Sequence, residues 1–248
     1  MKLVLDVGNT STKWACFANN RPGMSGRFMH RAGNPRALAD AAWSELQRAD
    51  EVLIASVAGR EMDAALVAWF ATHWQVHPVF LRTTARACGV TNAYTDPETL
   101  GIDRWAALIA AHHAYPGAVC VVDCGTAITL DLVTADGEHR GGLILPGIDL
   151  MQQLLLQNTA QLALSEKRPA TTPLANNTAA GIISGAVYMV VAAIDRSVAD
   201  MRVEQGTGID IVLTGGDAAA VLPLLEGRVH HAADLVLRGI VMLAGEKR

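Results

Sequence analysis

Few residues of this chain are charged, and no part of it concentrates charge of one sign. Of 248 residues, 18% are charged and 51% are apolar, which is typical of a compact globular protein rather than a disordered one. The net charge is -4 and the basic residues are scattered, so the sequence lacks the basic stripe of nucleic-acid-binding proteins. The length allows one large domain or two small lobes, each with its own core.

Cysteine is scarce, which argues against a disulfide-rich or zinc-binding protein. The four cysteines are Cys16, Cys88, Cys120 and Cys124. Their spacing matches no zinc pattern, and the last two lie in an apolar run where small hydrophobic side chains belong. His73 and His77 could share a helix face, but Pro78 follows directly, so a metal site there is the weaker interpretation. We expect reduced thiols and a cytoplasmic protein.

Long hydrophobic runs are missing near the N-terminus. The apolar run that starts at Leu3 ends at Asp6, too early for the core of a signal peptide. Residues 178–194 form an uncharged stretch of nearly membrane-spanning length, but it contains Ser184 and Gly185 and has no flanking cluster of positive charge. We therefore expect a buried helix in this stretch, no signal peptide and no membrane association.

Strand-like and helix-like patterns alternate along the chain, which predicts an α/β protein. The predicted strands are residues 3–7, 13–17, 52–57, 76–81, 118–122, 127–133, 138–145 and 210–213. The predicted helices are residues 35–46, 64–71, 99–114, 148–157, 178–198 and 233–244. A stop at Pro116-Gly117 precedes a restart of the series, so we predict lobes at residues 1–117 and 118–248.

Two short segments repeat the same order of residue types. Residues 5–10 read Leu-Asp-Val-Gly-Asn-Thr, and residues 122–127 read Val-Asp-Cys-Gly-Thr-Ala. Each is the end of an apolar strand followed by Asp-x-Gly and a small polar residue, and each opens one half of the chain. The repeat suggests an ancient duplication that produced two similar lobes facing a cleft.

The first of these segments has the residues of a phosphate-binding turn. It comprises Asp6, Val7, Gly8, Asn9, Thr10, Ser11, Thr12 and Lys13. The glycine lets the backbone approach a ligand, the polar side chains donate hydrogen bonds and the lysine supplies a cation, which suits a phosphate tail with its Mg²⁺. The segment does not match the Walker-type P-loop. Taken alone, an ordinary hairpin turn explains the same residues equally well.

Two later glycine turns could complete a nucleotide site. Residues 123–127 (Asp-Cys-Gly-Thr-Ala) and residues 214–217 (Thr-Gly-Gly-Asp) each follow a predicted strand. Consecutive glycines at Gly215 and Gly216 allow the backbone to lie against a planar ring or a ribose. Taken alone, the first segment is explained by a β-turn and the second by a strand-to-helix connector capped by Asp217. Their pairing with the N-terminal turn favours nucleotide binding.

A fourth segment, residues 94–105, places an acidic and a basic residue at a predicted helix start. Asp103 is favoured there by the helix dipole, and a helix N-terminus is also a good anion site. Arg104 could hold a carboxylate through two parallel hydrogen bonds. The alternative is that Asp103 only caps the helix and that Arg104 is a solvated surface charge.

The order of these motifs resembles that of type III pantothenate kinases. Asp-x-Gly-Asn-Thr, Gly-x-Asp-Arg, Asp-x-Gly-Thr-Ala, an Asn-Thr before a glycine and a late Thr-Gly-Gly follow one another between Asp6 and about Arg238. That family belongs to the superfamily of acetate and sugar kinases, Hsp70 and actin. The resemblance implies two similar ribonuclease H-like, actin-like lobes, each a mixed sheet flanked by helices, with the active-site cleft between them.

The resemblance also implies a role for each motif. The residues implied to bind ATP are the turn of residues 6–13, Thr126, Gly215 and Gly216. Those implied to bind pantothenate are Tyr94, Gly101, Ile102, Asp103, Arg104 and Thr178. Asp103 would be the general base, Asp6 would lie near Mg²⁺, and Asp123 would hold a monovalent cation, K⁺ or NH₄⁺. Thr178 would reach the pantothenate site of the neighbouring subunit, so the active form would be a homodimer.

These roles predict ATP-dependent phosphorylation of pantothenate to 4'-phosphopantothenate, the first step of coenzyme A biosynthesis, by in-line phosphoryl transfer. Two alternatives remain on the same fold: a kinase for another small hydroxy acid or a sugar, and a non-catalytic regulator that senses nucleotides. The intact turns and the presence of Asp103 favour the enzyme. Residues 157–175 suggest no role.

Overall fold

In the computed structural model the chain divides into two compact units. The structure describes residues 1–19, 21–30, 33–158, 171–206 and 208–246. The first unit contains Met1–Ala114, Gly137–His139 and Asp234–Arg248, and the second contains Tyr115–Asp136 and Arg140–Ala233. Along the chain, the first unit gives way to the second between Ala114 and Tyr115, close to the boundary that we predicted after residue 117. The closing segment of the chain, however, groups with the first unit and not with the second.

The first unit is built on a five-stranded mixed sheet. Its strands are β1 (Lys2–Val7), β2 (Ser11–Ala18), β3 (Arg21–Met29), β4 (Glu51–Ser56) and β5 (Val79–Phe80), in the order β3-β2-β1-β4-β5. Its helices are α1 (Pro35–Trp43), α2 (Arg60–His73), α3 (Ile102–Ala114) and α7 (Leu235–Glu246), numbered along the whole chain. A small hairpin of β6 (Arg86–Ala87) and β7 (Val90–Thr91) completes the unit. β1 runs antiparallel to β2 and parallel to β4, and β4 runs parallel to β5.

An aromatic core covers one face of this sheet. Successive residues of a strand point to opposite faces, so Leu3 and Leu5 of β1 share the face that packs under α1 and α2. Trp43 of α1 stacks on Phe70 of α2, with ring centroids 5.2 Å apart, and both rings are fully buried. Burial of a large aromatic side chain contributes about 1.5–3 kcal/mol, so this cluster fixes both helices on the sheet.

Close backbone contact explains why the closing helix belongs to the first unit. A Cβ atom at Gly239 of α7 would lie 1.9 Å from the carbonyl oxygen of Ala106 in α3, so only glycine permits this approach. At the other end of α7, Glu246 accepts a hydrogen bond from the backbone N–H of Cys88 in the β6–β7 hairpin (2.6 Å). The two contacts join residues that are far apart in sequence, which is why periodicity could not assign the helix to a unit.

The second unit repeats the strand order of the first. Its strands are β8 (Ala118–Cys124), β9 (Ala127–Val133), β10 (His139–Pro146), β11 (Ile209–Thr214) and β12 (Val229–His231), in the order β10-β9-β8-β11-β12. Its helices are α4 (Ile148–Gln157), α5 (Thr178–Gln205) and α6 (Ala218–Val221). β8 is antiparallel to β9 and parallel to β11, and β11 is parallel to β12, as in the first sheet. The prediction of two similar lobes, each with a mixed sheet flanked by helices, is confirmed.

Most predicted elements are present, and the main omission has a clear cause. β3 was not predicted because it contains Pro22, Gly23 and Gly26 and is exposed along most of its length. Proline and glycine are tolerated on an edge strand, where one side of the backbone is not paired. Gly26 faces Trp14 across the ladder, and a Cβ there would lie 2.7 Å from the indole ring, so the glycine makes room for the tryptophan.

The long helix α5 is a core helix of the second unit, as predicted. By length and composition it could cross a membrane, with a mean hydropathy of 1.7 in its most apolar window, of which 44% is buried in the protein. Its buried side chains, among them Val187, Val190 and Ile194, join the hydrophobic core formed with β8 and β11. Packing on the sheet therefore accounts for the apolar composition of this helix.

Candidate active site

The candidate site in the first unit lies at the carboxyl edge of its parallel strands. β1, β4 and β5 run in the same direction, so the segments after Val7, Ser56 and Phe80 leave the sheet at the same edge. The N–H of Val57 donates to the carbonyl of Val7 (2.9 Å), which holds the first two of these segments together. Loops at this edge are the usual ligand-binding loops of α/β sheets.

The predicted phosphate turn is shorter in the structure than in the sequence analysis. Gly8 donates a backbone hydrogen bond to the carbonyl of Ser11 (3.1 Å), and β2 already begins at Ser11. Asn9 is exposed at the tip of the turn. Thr12 lies in the strand, fully buried, so its side chain faces the core rather than the turn. Asp6 pairs with Lys13 in the ladder, so the two side chains leave the same face of the sheet at the start of the turn.

The structure brings together the predicted acceptor-binding residues of the first unit. Asp103 lies in the first turn of α3, and its Oδ1 accepts from the backbone N–H of Arg104 (2.8 Å). A Cβ at Gly101 would lie 2.5 Å from the same oxygen, so a side chain at this position would displace the carboxylate of Asp103. Arg104 is only 9% exposed, and its Nη1 donates to the hydroxyl of Tyr94 (3.0 Å). The buried guanidinium of Arg104 is therefore oriented by the hydroxyl of Tyr94, close to the candidate base Asp103.

A cavity beside these residues contains side chains that sequence analysis did not identify. It has a volume of about 210 Å³, and its walls include Gly101 and Ile102 together with Ser56, Val57, Arg82 and Thr83. The hydroxyl of Thr83 donates to the carbonyl of Leu100 (2.8 Å) and so fixes the loop before α3. These residues lie at or just after the ends of the predicted strands 52–57 and 76–81. That position was the available signal, because the carboxyl ends of parallel strands share one edge.

The candidate site in the second unit is made of backbone segments in close contact. The N–H of Asp217 donates to the carbonyl of Cys124 (3.0 Å), and that of Gly147 donates to the carbonyl of Thr126 (3.0 Å). Gly215 has a φ of +100°, and a Cβ there would lie 2.4 Å from the carbonyl oxygen of Cys124. The two glycine turns predicted in this half of the chain therefore meet, at the carboxyl ends of β8 and β11. Thr126 and Gly216 are exposed on this surface.

Asp123 has a threonine at the paired position of each neighbouring strand. It pairs with Thr129 on one side and with Thr214 on the other, so the three side chains lie on the same face of the sheet. Thr214 is fully buried, and within the described part of the chain its hydroxyl oxygen has no hydrogen-bond partner. Hard cations prefer carboxylate and hydroxyl oxygens, so Asp123 and Thr214 have the donor types of a cation site.

Cys124 occupies the variable position of the second turn and is chemically inert. Burial raises the pKa of its thiol to about 12, and the neighbouring carboxylates of Asp123 and Asp217 raise it in the same direction. The thiol is therefore neutral at physiological pH and acts as a small apolar side chain.

Thr178 is the first residue of α5, in the second unit. The side chain of Asn177 caps the helix by accepting from the N–H of Ala180 (2.9 Å), which leaves Thr178 exposed at the helix start. Gly181, Gly185 and Met189 continue the exposed side of the helix. Thr178 belongs to the second unit, whereas the other predicted pantothenate-binding residues belong to the first.

The donor sets also limit the metals that the site can hold. Among the described residues, no group of three or more His, Cys, Asp or Glu side chains could hold a metal ion. A single carboxylate at Asp6 fits Mg²⁺, because this ion is commonly bound through one or two carboxylates together with substrate phosphates. A protein cage for a transition metal is absent from the same part of the chain.

Known proteins resemble this chain over most of its length. A family model described as type III pantothenate kinase matches residues 2–200. A type III pantothenate kinase of Nitrosococcus oceani is 41% identical over 98% of this chain and 94% of its own. Among solved structures, a Campylobacter jejuni protein described as a Baf family transcriptional activator superposes with a TM-score of 0.61 at 18% identity, covering 99% of this chain and 98% of that one. The activator of 2-hydroxyisocaproyl-CoA dehydratase from Clostridium difficile, with bound ADPNP, has a TM-score of 0.51 at 11% identity. That likeness covers 99% of this chain and 95% of the activator.

Proposed function

The chain belongs to the type III pantothenate kinase family, and we propose how its residues divide the work of that reaction. It is a kinase that uses ATP to phosphorylate pantothenate in coenzyme A biosynthesis. The observation that carries the assignment of residues is the buried Arg104, oriented by Tyr94 and adjacent to Asp103 at the start of α3.

In this proposal the first unit binds the acceptor. Arg104 holds the carboxylate of pantothenate through its guanidinium fork, with the hydroxyl of Tyr94 keeping that fork in place. The cavity of about 210 Å³ next to Gly101 and Ile102 receives part of the acceptor chain. A helix N-terminus favours negative charge, so the first turn of α3 suits both the carboxylate ligand and an ionised Asp103.

Asp103 acts as the general base on the acceptor hydroxyl. Its Oδ1 is held by the N–H of Arg104, which fixes the orientation of the carboxylate toward the hydroxyl that attacks the γ-phosphorus. Lys13 and the turn amides stabilise the charge that develops on the transferring phosphoryl group. Mg²⁺ bound at Asp6 would neutralise charge on the phosphate oxygens of ATP.

The second unit contributes nucleotide binding through backbone and hydroxyl groups. Thr126 binds the phosphates, and the turn of the half-buried Gly215 and the exposed Gly216 lies against the nucleoside. Asp123 holds a monovalent cation with the hydroxyl of Thr214, whose oxygen is buried and unsatisfied within the described residues. The Clostridium difficile activator, which has a similar fold, was solved with bound ADPNP, and this supports nucleotide binding by the fold.

A second copy of the chain covers the exposed side of α5. Gly181, Gly185 and Met189 recur at four-residue spacing, and Met189 is 64% exposed. Small residues allow two helices to approach closely, and exposed apolar side chains favour burial at an interface. Thr178 at the start of the same helix would then reach the pantothenate site of the partner. All four cysteines are free, which supports a cytoplasmic location.

The test is an ADP-release assay with ATP, Mg²⁺ and pantothenate, in potassium and again in sodium. Pantothenate-dependent ADP release is expected, with higher activity in potassium. No release from folded protein in either salt would refute the proposed function.

Light scattering tests the dimer. A side chain at Gly185 would meet nothing within 4 Å inside the chain, so Gly185→Glu should leave the fold intact. The charged side chain would instead block the interface, and we expect monomers.

The two alternatives are separated by the same assay. Sugars and other small hydroxy acids replace pantothenate in parallel reactions, and ADP release with one of them alone would assign a different acceptor. The Campylobacter jejuni protein, described as a transcriptional activator, shares the fold at 18% identity. Because fold does not determine function, the regulator is the alternative that the assay must test. Tight nucleotide binding without turnover of any acceptor would favour that role.

A further inference from the structure

Besides the residues that the proposed function uses, one buried histidine lies against the acceptor-binding cluster. We propose that His139 is a positioning residue that holds the ring of Tyr94 and, through it, the guanidinium of Arg104, so that it sets the affinity for the acceptor's carboxylate. This inference rests on the proposed function, because it assumes that Tyr94 and Arg104 bind the acceptor. His139 is only 3% exposed and is grouped with the first unit, although it opens β10.

The backbone determines where His139 lies. Thr91 of β7 donates to the carbonyl of Gly137 (2.9 Å), and Thr91 also forms a parallel bridge with Glu138. Gly137 has a φ of +85°, and a Cβ there would lie 2.2 Å from the carbonyl oxygen of Gly89. The short segment of residues 137–139 is therefore held against the segment that leads into Tyr94 by contacts that do not involve the histidine side chain.

The imidazole makes two different contacts with the Tyr94 loop. Its Nδ1 accepts a hydrogen bond from the backbone N–H of Ala93 (3.3 Å). Because Nδ1 is the acceptor, the neutral ring carries its hydrogen on Nε2. The imidazole also stacks on the phenol of Tyr94, with ring centroids 6.0 Å apart and planes inclined by 18°. One contact fixes the backbone before Tyr94 and the other fixes its ring.

A chain of contacts then leads from His139 to the acceptor-binding group. The hydroxyl of Tyr94 accepts from Nη1 of Arg104 (3.0 Å), and the guanidinium carbon lies 5.7 Å from the centre of the phenol ring. The N–H of Tyr94 is held separately by the side chain of Asn92 (2.9 Å). Because a two-point hydrogen bond to a carboxylate needs the guanidinium plane in one orientation, a ring that rotates freely would weaken acceptor binding.

Two variants separate the contacts of His139. His139→Asn keeps an acceptor near the position of Nδ1 and removes the ring, whereas His139→Phe keeps a stacking ring and removes the acceptor. We expect each to raise the KM for pantothenate about 3- to 10-fold, the effect of one lost stacking or hydrogen-bond contact. The KM for ATP and kcat should stay within about twofold, since neither contact touches the nucleotide. His113→Asn, at an exposed histidine of α3, is the matched control and should change nothing.

A double-mutant cycle distinguishes positioning from a general structural role. If His139 acts through Tyr94, His139→Asn should raise the KM no further once Tyr94→Ala is present. Effects that multiply, a KM unchanged in both single variants, or equal losses in kcat and in both KM values would overturn the inference. Wild-type protein without pantothenate-dependent ADP release would refute the proposed function and this inference with it. Active wild type with unaffected His139 variants would refute this inference alone.

Discussion

The two Asp-x-Gly turns occupy equivalent places in the two sheets but have different neighbours. Asp6 is paired with Lys13 on one side and with Ala55 on the other. Asp123, its counterpart in the second sheet, is paired with Thr129 and Thr214. The first aspartate therefore has a lysine at a paired position, and the second has a threonine at each of its two paired positions.

This difference shows how one scaffold can serve two tasks. A lysine beside the turn suits a charged phosphoryl group, because the ammonium group stabilises the charge that develops during transfer. A carboxylate between hydroxyl oxygens suits a bound cation instead, because hard cations prefer oxygen ligands. The backbone differs as well, since Gly147 and Gly215 press against the second turn and Asn9 is exposed at the tip of the first. We expect chemistry to depend on the first turn and cation dependence on the second.

The largest loss of activity should come from replacing Asp103, the proposed general base in the first unit. Asp103→Asn keeps an oxygen for the N–H of Arg104 and removes the proton acceptor. We expect kcat to fall by about 10²- to 10⁴-fold, the usual contribution of a general base. Steady-state ADP release at saturating substrates measures it, with circular dichroism as the control for folding. Turnover close to that of the wild type would remove Asp103 from the mechanism.

A matched pair of variants tests the comparison directly. Lys13→Met removes the cation beside the first turn, and Thr129→Val changes the equivalent position of the second. We expect the first to lower kcat about 10²-fold, as for a lost charge-stabilising group, and the second to lower it less than about threefold. Equal losses would show that the two turns do not divide the work as proposed.

A smaller effect is expected on the potassium dependence of the reaction. Thr214→Val preserves the shape of a fully buried side chain and removes its hydroxyl oxygen. The potassium concentration for half-maximal activity should rise about 3- to 10-fold, the effect of losing one oxygen contact worth about 1 kcal/mol. Potassium titrations of the two proteins at fixed substrate concentrations measure the shift. Ser56→Ala, at the last residue of β4 in the first unit, should leave the potassium dependence unchanged.

The smallest effect at neutral pH is the contribution of the buried thiols of the second unit to the free energy of unfolding. Burial raises the pKa of Cys120 and of Cys124 to about 12, from an ordinary value of 9.0. In the unfolded chain these thiols ionise first, so the free energy of unfolding should be unaffected below pH 9 and should fall as the pH rises from 9 to 12. Denaturant titrations at several pH values measure this, and Cys120→Ala/Cys124→Ala should weaken the dependence. Rapid alkylation of either thiol in the native protein at pH 8 would contradict the assignment.

Some features of the molecule are predictable because they are local. The strand runs, the Asp-x-Gly turns and the helix that starts near Asp103 each follow from a few neighbouring residues. The repeat of the hexapeptide was also enough to predict two similar sheets. The extent of the first turn was less predictable, since Thr12 is polar but lies buried in a strand. Residues 159–170, part of the segment to which no role was assigned, lie outside the described residues.

The sequence by itself determined the alternating elements, the duplicated turns and the family, because these depend on residue order over short distances or on motifs in series. Only the tertiary structure decided which residues meet. It joined Tyr94 to Arg104, placed His139 against the same loop and packed α7 on α3. These contacts link segments that are distant along the chain. They depend on strand register and on glycines that permit backbone approach, which local periodicity does not encode.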